Sequence, residues 1–115
     1  MFSSIMVGSN DLDRSKRFYD AVFTAIGGDE AGIDHRGRLM YIHKNSRFLV
    51  TKPLNGEPAT PGNGMTIGFV TDNPAQANAW HAAGLAHGGT AIEDPPGFRG
   101  PGSTRFYLAY LRDPD

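Results

Sequence analysis

The residues of this chain with the types to do chemistry are four histidines, a few carboxylates beside loops and a group of arginines on strand-like segments. His35 and His43 lie in or near those segments, and His81 and His87 on or after a helical one. No two histidines stand at ligand spacing beside a carboxylate, as a His-Glu-x-x-His helix would require. Structural roles are expected for all four: His81 packed on the Trp80 side, and His87 at a helix end where its charge suits the dipole. A carboxylate desolvated in a cleft can serve as a general base. Glu57 sits among prolines and glycines and is expected to stay solvated, which leaves Glu93, after the apolar pair Ala91-Ile92, as the candidate catalytic base. Arg47, Lys52, Arg99 and Arg105 lie on or beside strands. Pointing inward, they would favour a carboxylate or phosphate, which a guanidinium grips with two parallel hydrogen bonds. The same side chains, solvated at a strand edge, discourage edge pairing. Tyr41, Phe48, Phe106, Tyr107 and Tyr110 offer an apolar cleft with hydroxyl donors. Period-two alternation lets only about half of them face it.

Composition narrows the field. A length of 115 residues is enough for one domain with a real core. With no cysteine, there is no disulfide framework, thiolate site or thiol nucleophile. A formal charge of −1 provides no electrostatic footprint for nucleic acid or an anionic membrane. The apolar runs are too short to span a bilayer and the start has no secretory pattern, so cytoplasmic residence is the default expectation.

The elements that must position these residues follow from periodicity. Phe2 to Val7 reads as a buried strand closed by Gly8. Asn10 is the expected N-cap of a helix, with Asp11 and Asp13 in its first turn. Leu12, Tyr19, Val22 and Ile26 recur at helical spacing, widened by Phe18 and Phe23. Asp13 and Arg17 form an i,i+4 pair worth ~0.3 kcal/mol, and Gly27-Gly28 ends the helix. Asp29 to His35 suggests an irregular edge strand. Arg38–His43 and Arg47–Lys52 read as strands joined by the turn Lys44-Asn45-Ser46. Pro53 to Gly64 reads as a linker. Beyond it, Met65–Thr71 reads as a strand and Asp72 or Asn73 as the cap of a helix with Pro74 near N1. Gly88-Gly89 stops that helix, and Ala91–Glu93 suggests a short strand. The loop from Asp94 to Thr104 suits either a lid with Phe98 and Arg99 at its tip or a simple crossover. Arg105–Leu111 reads as the last strand.

Part of this pattern occurs twice. Ser4–Asp11 runs parallel to Thr66–Asn73, and the register holds through the helices, matching Phe18 with Trp80, Ala21 with Ala83 and Gly27 with Gly89. Two copies of one strand–helix unit imply a pseudo-twofold pair of modules with a ligand cleft between them. Ser4 and Thr66 hold equivalent places in the two first strands. The second copy supplies one strand fewer than the first. The expectation is that a final strand lies outside these residues or that a partner subunit fills the edge.

The run Val7-Gly8-Ser9-Asn10-Asp11-Leu12-Asp13 through Phe18-Tyr19, with Gly97-Phe98 and Phe106-Tyr107-Leu108-Ala109-Tyr110-Leu111-Arg112-Asp113-Pro114-Asp115, resembles the vicinal oxygen chelate superfamily. That group includes glyoxalase I, bleomycin-resistance proteins and extradiol dioxygenases, and the closest likeness is to its small bacterial glyoxalase-like members. The resemblance implies an α+β fold of two βαβββ modules in one domain: module one about 1–52, a linker 53–64 and module two 65–115. In metal-using members a histidine commonly stands at the place of Ser4 and another at that of Thr66, with carboxylates from the fourth strand of each module. Here both places hold hydroxyls, weaker ligands than imidazole for Zn²⁺, Ni²⁺ or Fe²⁺. Arg47–Lys52 contains no carboxylate.

The resulting expectation is a cleft that binds a small polar or anionic organic molecule through Ser4, Arg47, Thr66, Phe98, Arg99, Arg105 and Tyr107, with no metal ligand and no cofactor. Two alternatives stand beside it. One is a glyoxalase I-type lyase or isomerase using Zn, Ni, Fe or Mn. The other is a drug-sequestering resistance protein, for which a near-neutral charge is a poor match to a cationic drug. Family habit implies a homodimer; no nucleic-acid or membrane partner is expected.

Overall fold

The computed structural model describes residues 1–115. Its first half runs β1 (Ser4–Gly8), α1 (Leu12–Ala25), β2 (Gly32–Ile33), β3 (Leu39–His43) and β4 (Ser46–Thr51). These strands form one sheet in the order β1-β4-β3-β2, with β1 parallel to β4 and the other neighbours antiparallel. The second half holds α2 (Pro74–Ala86) and a two-stranded antiparallel sheet, β5 (Gly97–Arg99) with β6 (Phe106–Leu108). No helix is long and apolar enough to cross a membrane.

Alternation along the strands decides which side chains form the core. Phe18, Tyr19, Val22, Phe23 and Ile26 of α1 and its C-cap pack on Leu39 and Tyr41 of β3 and on Phe48 and Val50 of β4. Tyr41 and Phe48, two of the aromatics considered for a cleft, therefore belong to the layer beneath α1. On β4 the intervening residues Arg47, Leu49 and Thr51 take the opposite, concave face. The helices pack on each other where Gly84 of α2 leaves room for Phe18, Val22 and Leu111.

Several local expectations are revised. The N-cap of α1 is Asp11, which accepts from Arg14 N, because the Asn10 side chain is spent on the backbone of Ala59. The i,i+4 pair that forms on α1 is Lys16–Asp20, not Asp13–Arg17. Asp20 is already fixed by Tyr41 Oη and Ala31 N, whereas Asp13 and Arg17 are both exposed. The β3–β4 hairpin turns on Lys44 and Asn45 alone, both at positive φ, as a two-residue turn requires.

Met65–Thr71 is not a strand. Its side chains alternate as a strand's would, and Phe69 sets its ring edge-on against Phe23 and Phe48, with centroids 5.0 and 5.4 Å away. Yet no ladder forms, because no strand lies beside it as β4 lies beside β1. Ala91–Glu93 is likewise unpaired; an isolated bridge joins Thr90 to Arg112 instead. The Asp94–Thr104 segment is no free lid, since Gly97–Arg99 is zipped to β6. The last strand shortens to Phe106–Leu108.

Candidate functional site

The concave face of the first sheet can be laid out from its register. Ser4 on β1 faces Arg47 on β4, which faces Ile42 on β3. The next row is Met6, Leu49 and Met40, and beyond it Gly8 faces Thr51. Leu49 is only 7% exposed although it lies on the side away from α1. Arg38 also lies on this face, and its Nη1 reaches Met6 Sδ of that row at 4.0 Å. Arg38 is itself held by Asp34, with Nε to Oδ2 at 2.6 Å. Burial opposes the Asp34 charge, but N–H groups of Arg38 and Arg36 and the Arg38 guanidinium outweigh it, bringing the carboxyl down to about 2.

Arg47 differs from Arg38 in being uncommitted. It is exposed and enters no ion pair. The row thus presents a free guanidinium next to a hydroxyl, bordered by apolar Met6, Leu49, Met40 and Ile42. This is a surface for an anion carrying some apolar bulk.

A second group of the expected residues gathers on the β5–β6 hairpin. Arg105 stacks its guanidinium 4.0 Å from the Phe98 ring centroid, and Phe98 meets Tyr107 edge-on at 5.1 Å. Tyr107 Oη donates to Asn78 Oδ1 of α2. Arg99 has its fork occupied: Nη1 donates to Gly97 O and Leu108 O, and Nη2 to Asp94 O and Pro95 O. It staples the hairpin to the preceding loop. Phe98 and Phe106 remain 57% and 64% exposed. Thr66 stands exposed on the unpaired Met65–Thr71 segment and Glu93 is exposed before the hairpin, so neither is brought against Arg47 by any hydrogen bond.

The histidines do not assemble. His81 is buried in α2, His87 sets Nδ1 2.8 Å from Ala83 O at the end of that helix, and His35 is exposed. No three His, Asp or Glu side chains come together in a way that could hold a metal ion. At the places the superfamily uses for ligands, Ser4 faces a guanidinium, which repels a divalent cation. The residues present do not fit the superfamily's usual metal.

Sequence reasoning missed Arg38, Met6 and Met40. The Asp34…Arg38 spacing was visible, but only the register, which sets Met40 and Leu49 in one row, shows that Arg38 crosses the concave face.

A βαβββ unit with strand order 1-4-3-2, joined by an interhelical contact to a second helix and a two-stranded hairpin, defines a small α+β protein. The chain belongs to the Glyoxalase/Bleomycin resistance protein/Dioxygenase superfamily, whose family model matches residues 2–115. A glyoxalase/bleomycin resistance protein from Albidiferax ferrireducens T118 is 50% identical, with 99% of this chain and 91% of that one covered and a TM-score of 0.93. Two more distant structures share the fold. A hypothetical protein from S. aureus has TM-score 0.67 and 16% identity, covering 98% of this chain and 87% of its own. An integron cassette protein from V. cholerae has TM-score 0.62 and 20% identity, covering 100% and 88%. No curated protein matches the chain.

Proposed function

We propose that this protein binds a small organic anion on the concave face of its first sheet, without a metal. Arg47 grips the anionic group, Ser4 adds a hydroxyl donor, and Met6, Met40 and Ile42 carry the apolar remainder. Arg38 adds positive charge while remaining tied to Asp34. The observation that carries the reading is the Ser4–Arg47 register pair: a free guanidinium on β4 stands directly beside the place on β1 where a chelating member would hold a ligand. A cation there raises the affinity for carboxylate or phosphate and lowers it for Zn²⁺ or Ni²⁺. Association as a homodimer belongs to the same proposal, supported by the exposed Phe98 and Phe106 and by the unpaired Met65–Thr71 backbone.

The test is calorimetric titration with a medium-chain carboxylate such as octanoate, with and without Ni²⁺ or Zn²⁺. Metal-independent binding that disappears in Arg47→Gln supports the reading. Stoichiometric metal retention, with anion binding only in the loaded protein, would overturn it.

A further inference from the structure

The concave face continues past Thr51 into a cavity of about 410 Å³ under the Pro53–Thr60 segment. Met6, Gly8 and Thr51 belong to both surfaces, so the two adjoin. Asn10 fastens the roof. Its Nδ2 donates to Ala59 O at 3.1 Å and its Oδ1 accepts from Ala59 N at 2.7 Å. Gly8 allows that approach, because a Cβ there would stand 3.0 Å from Ala59 Cβ. The cavity thus has a fixed wall.

Its charged group has the opposite sign to Arg47. Glu57 lines the cavity, and its carboxylate enters no ion pair. The nearest cation in sequence, Lys52, lines a different hollow with Asn10–Asp13. Asn55 turns the segment so that Glu57 takes this position, accepting from Glu57 N at 3.0 Å. Thr51 lies four residue steps along the strand from Arg47, a rise of roughly 13 Å. Met6 and Met40 form the apolar floor between them, with Arg38, tied to Asp34, beside Met6.

We propose that the ligand is bipolar: a carboxylate at Arg47, an extended apolar middle over Met6 and Met40, and an ammonium at Glu57 of the Pro53–Thr60 segment. This rests on the anion-binding reading above and narrows it to amino-carboxylates whose charges are well separated. Both ends meet an uncommitted side chain of opposite charge, and no other cation lines the Glu57 cavity.

The experiment compares octanoate with ω-aminooctanoate by calorimetry on the wild-type protein, Glu57→Gln and Arg47→Gln. The ω-amino compound is expected to bind the wild type about fivefold more tightly, the scale of an exposed ion pair. Glu57→Gln should erase that preference and leave octanoate unchanged, while Arg47→Gln weakens both ligands. Equal affinities in the wild type, or a preference that survives Glu57→Gln, would overturn the bipolar ligand and leave the anion site standing. No octanoate binding, or binding indifferent to Arg47→Gln, would overturn the anion site and the inference built on it.

Discussion

Tyr19 in the middle of α1 donates its phenolic hydrogen bond to Asp113 Oδ2 at 2.5 Å, joining residues 94 apart in sequence. The contact is one of several by which the last residues seize the start of α1. Asp115 accepts from Asn10 N and pairs with Arg14 Nη2 at 2.6 Å, while Ser15 Oγ reaches its other oxygen. The reverse arrangement exists too: Lys44, in the β3–β4 turn, pairs with Asp72 just before α2. A segment of each half therefore grips the beginning of the other half's helix. The resembling Asp113-Pro114-Asp115 sequence acts structurally here, fixing the start of α1.

Removing the phenolic hydroxyl tests that latch. In Tyr19→Phe the half-buried Asp113 loses a donor while the ring packing stays. A buried acceptor deprived of its partner costs about 1–3 kcal/mol. Urea denaturation should show a lower midpoint with an unchanged slope, because the same surface is exposed on unfolding. An unshifted midpoint would mean that the latch contributes nothing.

The glycines at the end of α2 differ in what a methyl group would meet. At Gly89 a Cβ would stand 2.7 Å from Phe18 Cε2 and 2.8 Å from the carbonyl oxygen of Gly84, and backbone cannot step aside cheaply. At Gly84 it meets side chains of Leu111, Val22 and Phe18, which can partly adjust, and alanine gains up to about 1 kcal/mol of helix propensity. Gly89→Ala should therefore cost about 1–3 kcal/mol and Gly84→Ala less. Thermal melts of the two variants decide the order.

Asp34 makes stability depend on acid. Its carboxyl titrates at about 2 in the folded chain, below the ordinary 3.8. Its contribution is therefore complete above 3.8 and is lost as pH falls through about 2. Asp34→Asn should lower stability at neutral pH and flatten the acid limb of a stability–pH profile in that window. Equal slopes for both proteins would show that the Arg38 pair is energetically idle.

How much of this was legible in the sequence depends on whether a residue's role is set locally. The α1 face, the glycine stops and the Pro74 start could be read because periodicity and capping act within a few residues. The two-residue hairpin was misjudged by one position because Lys44 and Asn45 both take positive φ, a conformation uncommon outside glycine. Met65–Thr71 shows the opposite limit. Its alternation is correct, but a strand is defined by its neighbour, and the neighbour is not a local property. Among the candidate site residues, alternation put Arg47 on one face of β4. Only the register shows that Ser4 is opposite it, and only the folded hairpin shows that Arg99 spends its donors on carbonyls.

The clearest functional prediction concerns Arg47, because it can be removed with little structural cost. Its side chain is exposed and enters no ion pair, so Arg47→Gln should change stability by no more than about 0.5 kcal/mol. The same substitution should weaken octanoate about tenfold or more, the order expected for a charge-assisted hydrogen bond. Arg38→Gln should behave differently, lowering stability as well as affinity, because it leaves Asp34 without its cation and gives up the reach to Met6. Raising the ionic strength should weaken wild-type binding and leave the residual affinity of Arg47→Gln comparatively unchanged, since salt screens the charge that variant lacks. If Arg47→Gln binds octanoate as the wild type does, the guanidinium faces solvent without gripping the ligand and the site must be sought elsewhere in the fold.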